Sequence, residues 1–226
     1  MKELVKMIEL FGRSTGKDNK QVMSDLLQYI VGSFDPEETP IPNWNYTKSQ
    51  NEQFHRMLLK WLDVMNEETR RREWFDPWGE LFMALTPKGG ARGQFFTPDT
   101  ICDLMADTVS TDTQPDHDCG AFGMRVTIGD PTCGSGRNLL AAHAKFVKDN
   151  AKKPYLIAED IDIDCCRMTA VNMMCHGCFG EVICHDTLCD PKGVRVGFLI
   201  NEGMYPFPGL PTIRMRKTPE WFVSLR

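Results

Sequence analysis

The stretch Asp130-Pro131-Thr132-Cys133-Gly134-Ser135-Gly136-Arg137 limits the possible folds most, because it joins an apolar run at residues 124–128 to a helical pattern at residues 138–147. Glycines at a strand-to-helix turn adopt backbone angles that other residues avoid, and they let a ligand approach the main chain and the free amides of the helix start. A second apolar run at residues 155–158 ends at Glu159-Asp160, 24 residues beyond Gly136, where a carboxylate is placed to accept bonds from the two hydroxyls of a ribose. A helix over residues 165–175 stops at Gly177, and a third strand at residues 181–184 ends near His185-Asp186, the position of a group that contacts an adenine ring. A fourth strand runs over residues 194–200. Strands and helices alternating at this spacing predict βαβ units and a mainly parallel sheet.

The chain before this region reads as helices. Phe54, Met57, Leu58, Trp61, Leu62 and Met65 recur at the spacing of one helical face. Residues 1–11 and 21–31 form two shorter helices, and residues 78–85 another, which stops at Pro87, Gly89 and Gly90. Three prolines make residues 34–44 a surface connection. Thr97-Pro98-Asp99-Thr100 is a helix start, with a capping hydroxyl, a proline suited to the first helical position and an acid that complements the dipole; Ile101, Leu104, Met105 and Val109 follow on one face. The expected domains are a helical one over residues 1–88 and an α/β one over residues 89–226, ending after about the fourth strand.

Composition narrows the partners. With 26 Lys+Arg against 31 Asp+Glu the formal charge of the 226-residue chain is −5, so it has no general attraction for nucleic-acid phosphates. Arg70-Arg71-Arg72 and Arg214, Arg216, Lys217 are the basic clusters, read as solvated faces. No apolar stretch reaches the length of a membrane span, and the N-terminus lacks a signal-peptide segment. Nine cysteines, odd in number and irregularly spaced, suit reduced thiols in a cytoplasmic protein. Cys175, His176, Cys178, Cys184, His185 and Cys189 are zinc-ligand types without a regular second pair, so no metal is expected.

Asp130-Pro131-Thr132-Cys133-Gly134-Ser135-Gly136 resembles the Asp-Pro-Ala-Cys-Gly-Ser-Gly signature of adenine-N6 DNA methyltransferases, in particular the methylation subunit of type I restriction–modification systems. Gly93-Gln94-Phe95-Phe96-Thr97-Pro98 is similar to the family's Gly-Gln-Phe-Tyr-Thr-Pro block, and Asp160-Ile161-Asp162 with Arg167 and Asn172 to its Glu-Ile-Asp block and following helix. His176-Gly177 and Asp186-Thr187-Leu188 resemble its His-Gly and Gly-Asp-Thr-Leu elements, with His185 in place of Gly. Phe75-Asp76-Pro77-Trp78-Gly79-Glu80-Leu81-Phe82 looks like the helical turn before the cofactor domain, so the resemblance covers roughly residues 74–190.

The resemblance implies a Rossmann-like S-adenosylmethionine-dependent methyltransferase fold, here partial, with an N-terminal helical domain. It implies that Phe95, Phe96, Thr97 and Pro98 wall the methionine end of S-adenosylmethionine, and that Asp130, Thr132, Gly134 and Gly136 meet its polar groups. By the same resemblance Asp160 holds the ribose, Asp186 accepts from the adenine amine, and Ile161 and Leu188 neighbour the ring. The family's catalytic Asn-Pro-Pro-aromatic element is absent: the fourth strand ends in Asn201, followed by Glu202-Gly203-Met204 and then Tyr205. Asn201 and Tyr205 are the candidates for holding a flipped adenine, and Asn201 is alternatively a polar turn residue. The implied reaction is methyl transfer to adenine in DNA, with a specificity-type or methylation-type partner chain. The alternative is an inactive homologue that serves as a cofactor-binding regulatory or interaction module.

Overall fold

The computed structural model describes residues 1–37, 46–86, 96–108, 126–150, 153–190, 193–202 and 209–222. They divide into two compact units, Met1–Phe96 and Thr97–Arg226. The boundary expected between residues 88 and 89 lies outside the described residues. No helix among them is long and apolar enough to cross a membrane.

The first unit has four helices: α1 (Lys2–Thr15), α2 (Asn19–Phe34), α3 (Lys48–Glu68) and α4 (Pro77–Leu85). Their ends follow from local chemistry. Gly16 closes α1 in the left-handed conformation at φ 70°. Asp18 caps α2 by accepting from the Gln21 amide, and Asp76 caps α4, which has Pro77 in its first turn. Thr47 and Gln50 form a reciprocal capping box on α3. Leu4, Ile8, Phe11, Leu26, Phe54, Trp61 and Trp78 make the core, with the Trp61 and Trp78 ring centroids 5.7 Å apart. On α3 the buried stripe takes Val64 in place of Leu62, which is 38% exposed. At about 100° per residue, Leu62 turns past the edge of the stripe and Val64 comes into it.

The second unit runs α5 (Asp99–Thr108), β1 (Thr127–Asp130), α6 (Arg137–Asn150), β2 (Tyr155–Asp160), α7 (Ile163–Cys175), β3 (Phe179–Cys184), β4 (Val196–Ile200) and β5 (Ile213–Arg216). One sheet holds the strands in the order β1-β2-β3-β4-β5. The β1/β2 and β2/β3 pairs are parallel, as the βαβ reading requires. The β3/β4 and β4/β5 pairs are antiparallel, so the sheet is mixed. The sheet goes one strand beyond the four expected: Ile213–Arg216 pairs with β4 as β5 once Pro211 is past. Cys166 of α7 meets the Cys184 thiol, so alternation along β3 turns Cys184 toward α7 and Ile183 to the other face. There Ile183, Leu199 and Phe222 form a buried cluster.

α5 packs against α6 through small residues, Cys102 and Ala106 on Ala141. The apolar face read from the sequence lies on its other side: Ile101, Leu104 and Met105 are all exposed, and Val109 is outside the described residues. Periodicity identifies an apolar stripe but not which neighbour covers it.

Gly197 lets Phe222 pack. A Cβ at this position would stand 2.2 Å from the Phe222 ring. Gly197→Ala is therefore expected to lower unfolding stability by about 1–3 kcal/mol through overpacking, and adding Phe222→Leu to recover part of the loss. Urea denaturation of the three chains measures this; equal midpoints for the wild type and Gly197→Ala would show that the ring yields freely.

Candidate functional site

β1, β2 and β3 run in parallel, so their carboxyl ends lie together, and there the chain places its glycine turn with Asp130, Asp160 and Asp186. Gly134 and Gly136 have φ of 56° and 84°, which explains the residue type at both positions. At Gly136 a Cβ would also come within 3.0 Å of Thr169. The turn is held from behind by α7. Thr169 Oγ1 donates to the Gly134 carbonyl at 3.0 Å, and the buried Asn172 amide donates to the Ser135 carbonyl at 2.8 Å. These two helical residues, three apart and on one face, are bound to main chain and so are not available to a ligand. Arg167, quoted with Asn172 in the resemblance, pairs instead with Asp164 at 3.2 Å.

From the front the turn is held by Asp160. One of its oxygens accepts from the Gly134 amide at 3.0 Å and the other from the Asp162 amide at 2.8 Å. Burial pushes its carboxyl above the ordinary range, opposed by these two bonds and reinforced by the nearby charges of Asp162 and Asp130. Asp130, at the end of β1, accepts from the Thr132 amide at 3.0 Å, and burial pushes its carboxyl up as well. Asp186 closes a turn of its own, accepting from the Leu188 and Cys189 amides, and those bonds hold its carboxyl below the ordinary range. Ile161 is 48% and Leu188 93% exposed, a large apolar side chain standing out beside each of two strand ends. His185 is buried, with Nε2 3.6 Å from the Glu159 carboxylate. Cys133 packs in the turn with its thiol pushed well up by burial, which keeps it protonated at neutral pH.

Arg137, the first residue of α6, reaches across to the start of α5. Its Nε pairs with Asp99 at 2.9 Å and its Nη1 donates to the Thr97 carbonyl at 3.0 Å. The Thr97-Pro98 segment is thereby fixed to the glycine turn; an arginine directly after the second glycine was the only sequence signal for this link. Phe96 is the last residue of the first unit, where its ring lies 5.1 Å from Phe82, and Phe95 lies outside the described residues. A cavity of about 550 Å³ between α5, β1 and α6 reaches Asp130 and Thr132. Among the described residues no three His, Cys, Asp or Glu side chains gather as a metal site.

The structure does not bring Asn201 to this end of the sheet. β4 starts beside Cys184 and runs back, so Asn201 lies past Ile200, opposite Gly180 at the start of β3. It is fully buried at φ 55°, and its amide nitrogen donates to the Met174 and Cys178 carbonyls at 3.1 and 2.8 Å. Its side-chain oxygen accepts from the Thr212 amide at 3.1 Å. Asn201 is the polar turn residue of the two readings, and the structure corrects its placement as a base-holding group. Tyr205 lies outside the described residues.

The strand-end acids, the double-glycine turn and the βαβ order coincide with a known family: the sequence profile described as N-6 DNA Methylase matches residues 79–198, more than half of the chain. The chain belongs to the N-6 DNA methylase family. Its fold is similar to a crystal structure from Listeria monocytogenes described as a class I S-adenosylmethionine-dependent methyltransferase, with a TM-score of 0.50 at 14% identity. That likeness covers 84% of this chain and 55% of the other, so the N-6 DNA methylase chain spans little more than half the length of that protein. No curated protein matches it.

Two measurements check this geometry. A protonated Asp130 favours the fold, and that contribution is complete below the ordinary carboxyl range and lost as pH rises through the raised folded-state value. Asp130→Asn is thus expected to flatten the fall in urea stability as pH rises above the ordinary carboxyl value of 3.8; an unchanged slope would place the titrating group elsewhere. Asn201→Ala is expected to cost about 2 kcal/mol in urea denaturation, because it takes a donor from the Cys178 carbonyl and the acceptor from the Thr212 amide; an unchanged midpoint would show that these bonds contribute nothing.

Proposed function

We propose that this chain binds S-adenosylmethionine at the carboxyl ends of β1, β2 and β3 and acts as a methylation-subunit-like component of the type I restriction–modification kind in the cytoplasm. The observation that supports this is the convergence of Asp130, the Gly134–Gly136 turn, Asp160 and Asp186 at one end of a parallel three-strand ladder. The donor set fits the cofactor. Asp130 and Asp160 are both raised by burial, and Asp130 raises Asp160 further, so a cationic ligand beside them relieves both effects. The exposed Ile161 and Leu188 offer apolar surface for a ring at the strand ends. The functional division is a helical domain over residues 1–88 and a cofactor domain over residues 89–226.

When bound, S-adenosylmethionine supplies an electrophilic methyl group on a sulfonium. The chain's own part is to orient it. Thr97 and Pro98 wall the methionine end, while Asp130, Thr132, Gly134 and Gly136 present polar groups along the turn. Asp160 keeps the turn in place and has lone pairs left to meet the ribose, and the Asp186 oxygen not bound to its own turn accepts from the adenine amine. For methyl transfer to adenine N6 in DNA, another chain supplies the groups that hold the extruded base. The surface proposed for that chain is at β1, which among the described residues pairs only with β2, beside the exposed Ile101, Leu104 and Met105 of α5.

A second reading is a cofactor-binding interaction module without transfer. The engagement of Asn201 with Met174, Cys178 and Thr212, far from the glycine turn, favours it. Calorimetric titration with S-adenosylmethionine tests the shared claim, with binding in the micromolar range expected, weakening as pH falls and Asp130 and Asp160 take up protons. No binding by the folded chain would sink both readings. Incorporation of tritiated methyl into unmethylated DNA separates them: the isolated chain is expected to show little, and signal that appears with a partner chain favours the first reading.

A further inference from the structure

Arg137 is placed to do more than begin a helix. Its guanidinium is a planar fork whose donors serve two acceptors at once, and its side chain is only 13% exposed where Nε meets Asp99 at 2.9 Å and Nη1 meets the Thr97 carbonyl at 3.0 Å. The rest of the α5–α6 contact is close and made largely by small side chains. Cys102, Ala106 and Ala141 are small, and Ile101, Leu104 and Met105 are exposed, so no large side chain keys the start of α5 to the turn, and Arg137 is the group that does. The turn end of this link is held by the Thr169 and Asn172 bonds to the Gly134 and Ser135 carbonyls, and Gly136, just before Arg137, has no room for a Cβ beside Thr169. The Cys102 thiol adds only a long contact to the same Thr97 carbonyl, at 3.6 Å.

We propose that Arg137 is the positioning residue that holds Thr97-Pro98-Asp99 against the glycine turn, and that it thereby sets the site's preference for the methionine end of S-adenosylmethionine over the nucleoside part. This inference rests on the cofactor reading above. Arg137 touches no ligand in this scheme; it acts through Thr97 and Asp99, so its loss lets the start of α5 shift while Asp160, Asp186 and the strand ends stay in place. Lysine, a point charge without the fork, serves one acceptor but not both.

The test is calorimetric titration of the full chain and of Arg137→Ala, Arg137→Lys and Asp99→Asn with S-adenosylmethionine, S-adenosylhomocysteine and 5′-methylthioadenosine, the last lacking the amino acid portion. Arg137→Ala is expected to weaken the first two by about tenfold, equal to ~1.4 kcal/mol, and to leave the third within about twofold. Asp99→Asn and Arg137→Lys should give smaller losses of the same selective kind, and they carry the test if Arg137→Ala fails to fold by circular dichroism. Equal losses for all three ligands would overturn the proposal, because Arg137 would then support the whole turn without selectivity, and so would no loss for any. If the folded wild-type chain binds 5′-methylthioadenosine but prefers neither amino acid-bearing ligand, this inference fails while a nucleoside site remains. If it binds none of the three, the cofactor reading itself falls.

Discussion

The ligand end of the sheet depends on one carboxylate held between two backbone amides. Asp160 takes a bond from Gly134 on one oxygen and from Asp162 on the other, and its own carbonyl accepts from the His185 amide. One residue thus joins the glycine turn, the turn that starts α7 and the end of β3. The two amide bonds oppose the partial burial of the carboxylate without cancelling it, since the carboxyl stays above its ordinary range. The loop around it is then completed from the other side: with Thr169 and Asn172 holding the Gly134 and Ser135 carbonyls, the turn is clamped on both faces before any ligand arrives.

How much of this could be read from residues alone depends on whether the signal was local. The double-glycine turn and the parallel β1–β3 ladder rest on neighbours in sequence, where turn chemistry acts directly; α5 starts one residue later than read, at Asp99, with the Pro98 carbonyl accepting its first bonds. The direction of β4 does not rest on such neighbours. Val196–Ile200 is a short apolar strand whose pattern is the same read either way, and its antiparallel course follows from pairing with β5 and from Phe222 packing over Gly197. The face of α5 is a similar case: an apolar stripe at helical spacing was visible, but burial went to Cys102 and Ala106, residues too small to show in a periodicity count. Asn201 joins both difficulties, since its position depends on strand direction and its role on carbonyls far away in sequence.

The same arrangement separates two tasks that one strand end would otherwise combine. The acids and the glycine turn collect where β1, β2 and β3 end, while the asparagine at the end of β4 serves as a joint between α7, β3 and β5. Asn201 is therefore constrained by its left-handed backbone and by three hydrogen bonds, and Asp130 and Asp160 by their shared burial beside the turn.

The sheet order carries a consequence for how the chain is made. Because each strand pairs with the one before it in sequence, the second unit can grow outward as it leaves the ribosome, every new strand joining the edge left by its predecessor. Among the described residues no strand has to be inserted between two that are already bonded. The glycine turn and its Asp160 clamp belong to the first pair laid down, so the ligand end is shaped while β4 and β5 are still being synthesised.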